Sequence, residues 1–446
     1  MVEQRSEHKK VPKRIANTVL NSLKGGVVPR IGLPYIAVGR RSEIEALLGD
    51  VDVISEGGAS FRFIVGRYGS GKSFLIQTIR NYVMDRGFIV ADADLSPERR
   101  LQGTRGQGLA TYRELISNLS TKTRPEGGAL TLVMDRWINT VQTEAMKETG
   151  LMPDDPALSE AVDRKIYEVT ASVSELVHGF EFAKLLSRYY RAYIDGDDET
   201  KAKVVRWFRG EYALKSEVKE ALGVNMIITD DDWYDYLKLF AVFFRLAGYA
   251  GMMVMIDELV NIYKIPNSIT RQYNYEKMLT MYNDALQGKA KYLGIIMGAT
   301  PQALEDRRRG IYSYEALSSR LKEGRFSKPG ARDMLAPVIR LEPLTAEEML
   351  VLCEKLSDMH ADLYGYPRSV TTDDLAVFIK AEYARIGADL NITPREVIRD
   401  FIEILDLLYQ HPEMDISSML ESDEFTYTKS EAVSDDAEEG FVEFTI

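Results

Sequence analysis

The stretch Phe61-Arg62-Phe63-Ile64-Val65-Gly66-Arg67-Tyr68-Gly69-Ser70-Gly71-Lys72-Ser73 decides the fold. A short apolar run ends in a glycine-rich loop, and behind it Phe74, Leu75, Ile79, Tyr82 and Val83 recur at helical spacing. The order is therefore buried strand, loop, helix. The loop matches the pattern GxxxxGK[ST], in which glycines let backbone N–H groups turn inward around phosphate oxygens. The helix N-terminus adds its positive dipole end. Gly66, Arg67, Tyr68, Gly69, Ser70, Gly71, Lys72 and Ser73 are thus the expected nucleotide cradle. Lys72 should reach the β- and γ-phosphates and Ser73 should ligate Mg²⁺. A chance glycine-rich turn is the plain alternative, and the complete eight-residue pattern in strand–helix context argues against it.

Working outward, Gly87 leads into a second strand over residues 88–95. Strand, helix, strand is a βαβ unit, which argues for a parallel sheet covered by helices and an α/β fold. The sheet resumes at residues 252–256 and 292–297, and a last strand is expected at 338–341. The third strand runs into Asp257-Glu258. Asp257 would hold the metal through water or Ser73, and Glu258 would polarise the attacking water, a pairing that favours hydrolysis over mere nucleotide binding. The next strand ends in Gly298-Ala299-Thr300-Pro301, where the Thr300 hydroxyl could orient that water or feel the γ-phosphate.

Several arginines compete for the remaining role. Arg320 lies in a helical stretch after the Thr300 strand, and Arg307, Arg308 and Arg309 lie just before it. Any of them could reach a neighbouring subunit's nucleotide, and the bland alternative is a solvated or salt-bridged arginine. Further on, Thr393 reads as an N-cap, Pro394 as the first helical residue and Glu396 as the partner closing a capping box. That puts Arg395 in a first turn whose dipole disfavours it, so an anion such as the γ-phosphate is its expected partner.

The 446 residues are 45% hydrophobic and 28% charged, the balance of a soluble globular chain rather than a disordered or fibrous one. The single cysteine, Cys353, cannot form an internal disulfide or a cysteine-based metal cluster, and beside Leu350 and Leu352 it reads as a core filler. Four scattered histidines leave little room for a histidine metal cluster. No secretory signal is read at the start. The longest apolar run, residues 237–256, is broken by Lys238, Arg245, Gly248 and Gly251 and reads as helix, turn and strand rather than a membrane span. A cytoplasmic protein is expected.

The net charge of −12 is unevenly placed. Residues 1–41 carry nine Lys or Arg against two Glu, whereas residues 411–446 carry eleven Asp or Glu against one Lys. Such a tail reads as a solvated, flexible end or as a partner-binding, nucleic-acid-mimicking one. A helix is expected over residues 11–23, with Ile15, Val19, Leu20 and Leu23 on one face. Ser42 with Glu45, and Thr345 with Glu348, have the form of capping boxes.

The order of parts resembles an AAA+ ATPase of the origin-recognition and initiator-loader branch. Val38-Gly39-Arg40, the P-loop, Asp257-Glu258, Thr300, Arg320 and Thr393-Pro394-Arg395 correspond there to an adenine-side loop, Walker A, Walker B, sensor 1, arginine finger and sensor 2. More narrowly, the chain resembles the ATPases of bacterial BREX-type phage-defence loci, the BrxD-like group related to BrxC. The matching stretches include Arg14-Ile15-Ala16-Asn17, Gly25-Gly26-Val27-Val28-Pro29, Asp94-Leu95-Ser96-Pro97, Gly108-Leu109-Ala110-Thr111-Tyr112 and Gly310-Ile311-Tyr312-Ser313-Tyr314. The resemblance spans roughly residues 12–408 and leaves the acidic tail outside.

It implies a P-loop NTPase core with a parallel sheet, a large helical insertion and a C-terminal helical lid. The expected division is a basic helical arm (1–41), the first part of the core (42–107), the insertion (108–249), the rest of the core (250–343), the lid (344–410) and the tail (411–446). It also implies ATP and Mg²⁺ as ligands, turnover that depends on self-association or a partner, and action on double-stranded DNA or on a helicase or nuclease of the same locus. The leading expectation is a DNA-associated ATPase motor or loader with no membrane partner. The rival is a nucleotide-gated scaffold that recruits such an enzyme with little hydrolysis of its own, and a small-molecule kinase is disfavoured.

Overall fold

The computed structural model describes residues 10–174, 176–322, 332–385 and 393–421. Their described parts fall into two compact units. One holds Val28–Leu344 with Thr393–Arg395, and the other holds Met1–Val27, Thr345–Ile392 and Glu396–Ile446.

The larger unit is α/β. Its strands are β1 (Ala59–Val65), β2 (Ile89–Asp94), β3 (Met252–Asp257), β4 (Leu293–Ala299) and β5 (Val338–Arg340), joined in one sheet in the order β2-β3-β4-β1-β5. Every pairing in it is parallel. The strands are nearly continuous apolar runs because both faces are covered, as parallel sheets require. Ile64, Val90, Met253 and Ile296 pack on one face with Leu47, Val51 and Ile54 of the Arg41–Ser55 helix and Leu75, Ile76 and Ile79 of the Lys72–Asp85 helix. Phe61, Phe63, Val254 and Ile295 pack on the other with Leu115, Phe240 and Met278.

The expected strand–helix–strand unit forms, but its two strands are not neighbours. β3 and β4 lie between β1 and β2. Between β2 and β3 the chain is helical from Gln107–Ser117 to Trp233–Leu246, around an aromatic core of Trp137, Phe182, Phe208, Phe240 and Phe243.

One cap departs from its sequence signature. The helix beginning at Arg41 has Arg40 as its N-cap in the left-handed region at φ 60°, with no side-chain cap. Because Ser42 lies inside the helix, it is not positioned as the N-cap, and Glu45 pairs instead with Arg41 at 2.7 Å.

In the smaller unit, the Lys13–Lys24 helix buries Ala16, Val19, Leu20 and Leu23 and contacts the Ala346–Tyr364 helix. The latter opens with a complete Thr345–Glu348 capping box. Cys353 is fully buried there, and burial pushes its thiol pKa far up. His360 donates or accepts at both ring nitrogens, with Tyr366 Oη at 2.7 Å and Asp406 Oδ1 at 3.0 Å. Lys24 Nζ closes the cluster on Asp406 Oδ2 at 2.5 Å. Among the described residues no helix is long and apolar enough to cross a membrane.

Candidate functional site

The carboxyl ends of β1, β2, β3 and β4 bring the expected phosphate loop and carboxylates together, as open parallel sheets do. The loop leaves β1 at Gly66, whose N–H donates to Ala299 O on β4. A Cβ at Gly66 would lie 2.4 Å from Ser70 Oγ, so only glycine lets the loop close on itself. Gly69 and Gly71 take φ 76° and 92°, conformations that L side chains adopt at a cost. The Lys72–Asp85 helix then starts with no side-chain cap and no acidic residue in its first turn.

Lys72 and Ser73 point into this end of the sheet. Ser73 Oγ donates to Asp257 Oδ2 at 2.7 Å. Lys72 Nζ rests on Arg67 O at 3.1 Å, and burial lowers its pKa against the pull of Asp257 and Glu258. Asp257 is buried, and its Oδ1 accepts the Glu258 N–H at 2.8 Å. Glu258 itself sits at φ 62°, a strained position for a non-glycine residue. Burial, then the Asp257 charge, raises its carboxyl pKa above the ordinary range.

Three contributors owe their place at the site to tertiary structure. Gly298 on β4 lies directly against Asp257, and a Cβ there would fall 2.1 Å from Asp257 Oδ1. Asp94 ends β2 in register with Asp257 on β3. Surrounding protein, then the Asp257 and Glu258 charges, push its carboxyl pKa up to about 6. Arg40, seen in the sequence only through the Val38-Gly39-Arg40 resemblance, donates from Nη2 to Ser70 O at 3.1 Å and lies 3.6 Å from Glu43. It therefore ties the phosphate loop to the start of the preceding helix. Local spacing carries no trace of the first two, because each depends on a strand distant in sequence.

The remaining expected residues divide. Thr300 follows β4, and its hydroxyl accepts Ala303 N–H at 3.2 Å as the N-cap of Pro301–Glu305. Arg395, grouped with the sheet unit, holds its guanidinium 4.7 Å from the centre of the Tyr68 ring, which is 70% exposed. Arg320 ends the Glu315–Leu321 helix, exposed, with Nη1 donating back to Ala316 O at 2.7 Å. Arg307 and Arg308 are exposed. Arg309 is held by the carbonyls of Tyr263, Lys264 and Ile265 and stacks over Tyr263, the arrangement of a structural arginine.

The loop fits a phosphate chain on its own geometry. Among the described residues Ser70 Oγ is buried with no hydrogen-bond partner, the helix end is uncapped, and Lys72 is spent on a loop carbonyl. These are donors in need of an acceptor. Beside them, the paired oxygens of Ser73 and Asp257 fit a divalent metal.

A five-stranded parallel sheet with this loop at its carboxyl edge defines an α/β fold compatible with a P-loop NTPase. The chain belongs to the family of BREX system ATP-binding proteins BrxC/D, whose model matches residues 11–424. It is thus a member of an ATP-binding family of a phage-defence system. Among curated proteins no relative matches it.

Proposed function

We propose that this protein hydrolyses ATP in a Mg²⁺-dependent reaction and couples turnover to work on DNA within its defence system. The observation that carries the hydrolytic part of this reading is the Ser73–Asp257 hydrogen bond of 2.7 Å with Glu258 strained beside it, whereas the action on DNA follows from the family resemblance alone. A site built only to bind nucleotide has no need of a second carboxylate held at φ 62° with a raised pKa.

In this reading Gly66, Arg67, Tyr68, Gly69, Ser70 and Gly71 wrap the phosphates, and Lys72 leaves Arg67 O to reach the β- and γ-oxygens. Ser73 and Asp257 hold Mg²⁺, which when bound neutralises charge on the phosphates. Glu258 accepts a hydrogen bond from the attacking water and acts as its general base. Thr300 keeps one lone pair in its helix cap and turns its proton towards that water. Arg395 slides from Tyr68 towards the γ-phosphate, and Arg320 reaches the site of a neighbouring subunit. An exposed, self-bonded Arg320 supports a role outside its own chain. The helices of residues 108–249 serve as an insertion and those of 344–410 as a lid.

A second reading, the slow nucleotide-gated scaffold, draws on the same Arg320. Without a neighbour the site has no arginine finger, and turnover would be only a timer. Glu258→Gln tests the first reading. It keeps the shape of the side chain and removes the base, so ATP should bind with parental affinity while turnover falls roughly 10²–10⁴-fold. Parental turnover by this variant in a phosphate-release assay overturns Glu258 as the base.

A further inference from the structure

We propose that the exposed face at the start of the Lys13–Lys24 helix, formed by Lys10, Lys13, Arg14, Asn17 and Asn21, is a contact surface for the phosphate backbone of duplex DNA. The inference rests on the DNA-coupled reading above and deepens it by naming the surface.

The observations are of charge and place. From His8 to Asn21 the chain has four Lys or Arg and no carboxylate, although the whole protein carries −12. Lys10, Lys13, Arg14, Asn17 and Asn21 are all exposed. Positions 13, 14, 17 and 21 fall within about a third of the helical circle at 3.6 residues per turn, beside the stripe of Ala16, Val19, Leu20 and Leu23 that the helix buries. Both ends of the helix are basic, but among the described residues only the Lys24 end meets a carboxylate. Lys24 is paired with Asp406, with Glu403 close by. At the other end the first turn holds no acidic residue, and Pro12 provides no side-chain cap. Lys13 and Arg14 thus lie against the positive end of the helix dipole, which disfavours both cations. An external anion relieves that repulsion.

Duplex DNA is the polyanion this face fits. A membrane-surface helix inserts its apolar side among lipids, but here that side is used against the Ala346–Tyr364 helix. At the start of the helix the exposed side offers three cations and, one and two turns on, two carboxamides, side-chain types that contact phosphate and sugar. Asn21 Nδ2 donates to Asn17 Oδ1 at 3.2 Å, so the amides form a fixed row rather than two loose groups.

The test measures anisotropy of a fluorescein-labelled DNA duplex titrated with the full chain at several salt concentrations, with and without ATP. Replacing Lys10, Lys13 and Arg14 by Gln should leave ATP affinity unchanged. The slope of log K against log salt should become shallower by about 0.9 for each phosphate no longer neutralised, or about 2.7 in all. A second variant separates binding from folding. Lys13→Glu with Arg14→Glu complements the helix dipole, so Tm should hold or rise while DNA binding falls furthest. Parental affinity and slope in both variants overturn this surface and leave the DNA-coupled function standing. A parent that binds no duplex at low salt overturns both, whereas ATP turnover is judged separately by Glu258→Gln.

Discussion

Two polar clusters in this protein use similar side chains to opposite ends. In the helical unit, Lys24, His360, Tyr366 and Asp406 form a closed circuit in which both imidazole nitrogens and both carboxylate oxygens have partners. At the sheet edge, Lys72, Ser73, Asp257 and Glu258 gather around one Ser73–Asp257 hydrogen bond, yet the cluster is open. Among the described residues Ser70 Oγ has no partner, Lys72 sits on a loop carbonyl, and Glu258 holds a strained backbone angle. A buried network that satisfies every atom stabilises the fold. One that leaves donors unmet and carboxylates crowded is prepared for something that arrives later. Closure of the hydrogen-bond circuit, more than the kinds of residue in it, separates the two.

The largest effect that would break the comparison is expected from Lys72→Ala. Its loss should remove most ATP affinity with the fold intact, since the ammonium makes only a loop contact. Unchanged affinity by calorimetry would show that the open cluster is not waiting for phosphate. Gly298→Ala comes next. The added methyl meets Asp257, so the carboxylate must move away from Ser73. Overpacking of this kind costs about 1–3 kcal/mol, and Mg²⁺ should no longer strengthen ATP binding. Retention of the Mg²⁺ effect would mean that Asp257 does not hold the metal.

His360→Ala tests the closed cluster. It leaves Asp406 and Tyr366 short of a partner and should cost about 1–3 kcal/mol in denaturant unfolding. ATP affinity should stay at the parental value, and a matching loss of affinity would erase the contrast between the clusters.

The smallest effect is a pH dependence at Asp94. Its folded pKa of about 6 lies above the unfolded value of 3.8. The native state therefore binds the extra proton between these values, and stability falls as pH rises through them. Without nucleotide or divalent cation, Asp94→Asn should raise Tm at pH 7–8 and make no difference below about pH 4. An equal Tm gain at both pH values would point to packing instead of charge.

These residues also mark how far the sequence can be read. The P-loop, Asp257-Glu258 and the strand positions are local patterns, legible because each lies within one element and its following loop. The Thr345–Glu348 box forms as expected for the same reason. Ser42 and Glu45 carry the same signature but do not form the box, because the helix starts at Arg41 and Arg40 turns away to Ser70 O. Tertiary structure overrides a local preference there. That Gly298 and Asp94 lie beside Asp257 is not legible in the sequence, because periodicity identifies strands without saying which are neighbours. Their importance comes from lying beside Asp257 in space.

The strand order has a consequence for how the chain comes into being. β1 and its phosphate loop are made early, but the strand that flanks β1 and accepts the Gly66 N–H is β4, made after the whole helical segment between Asp94 and Met252. A ribosome would expose the glycine loop long before its walls exist, and pairings this distant in sequence close slowly. During that interval the apolar edges of β1 and β2 stand unpaired, a window for aggregation. Expression yield should accordingly respond more to the folding speed of the helical segment than to changes in the phosphate loop itself.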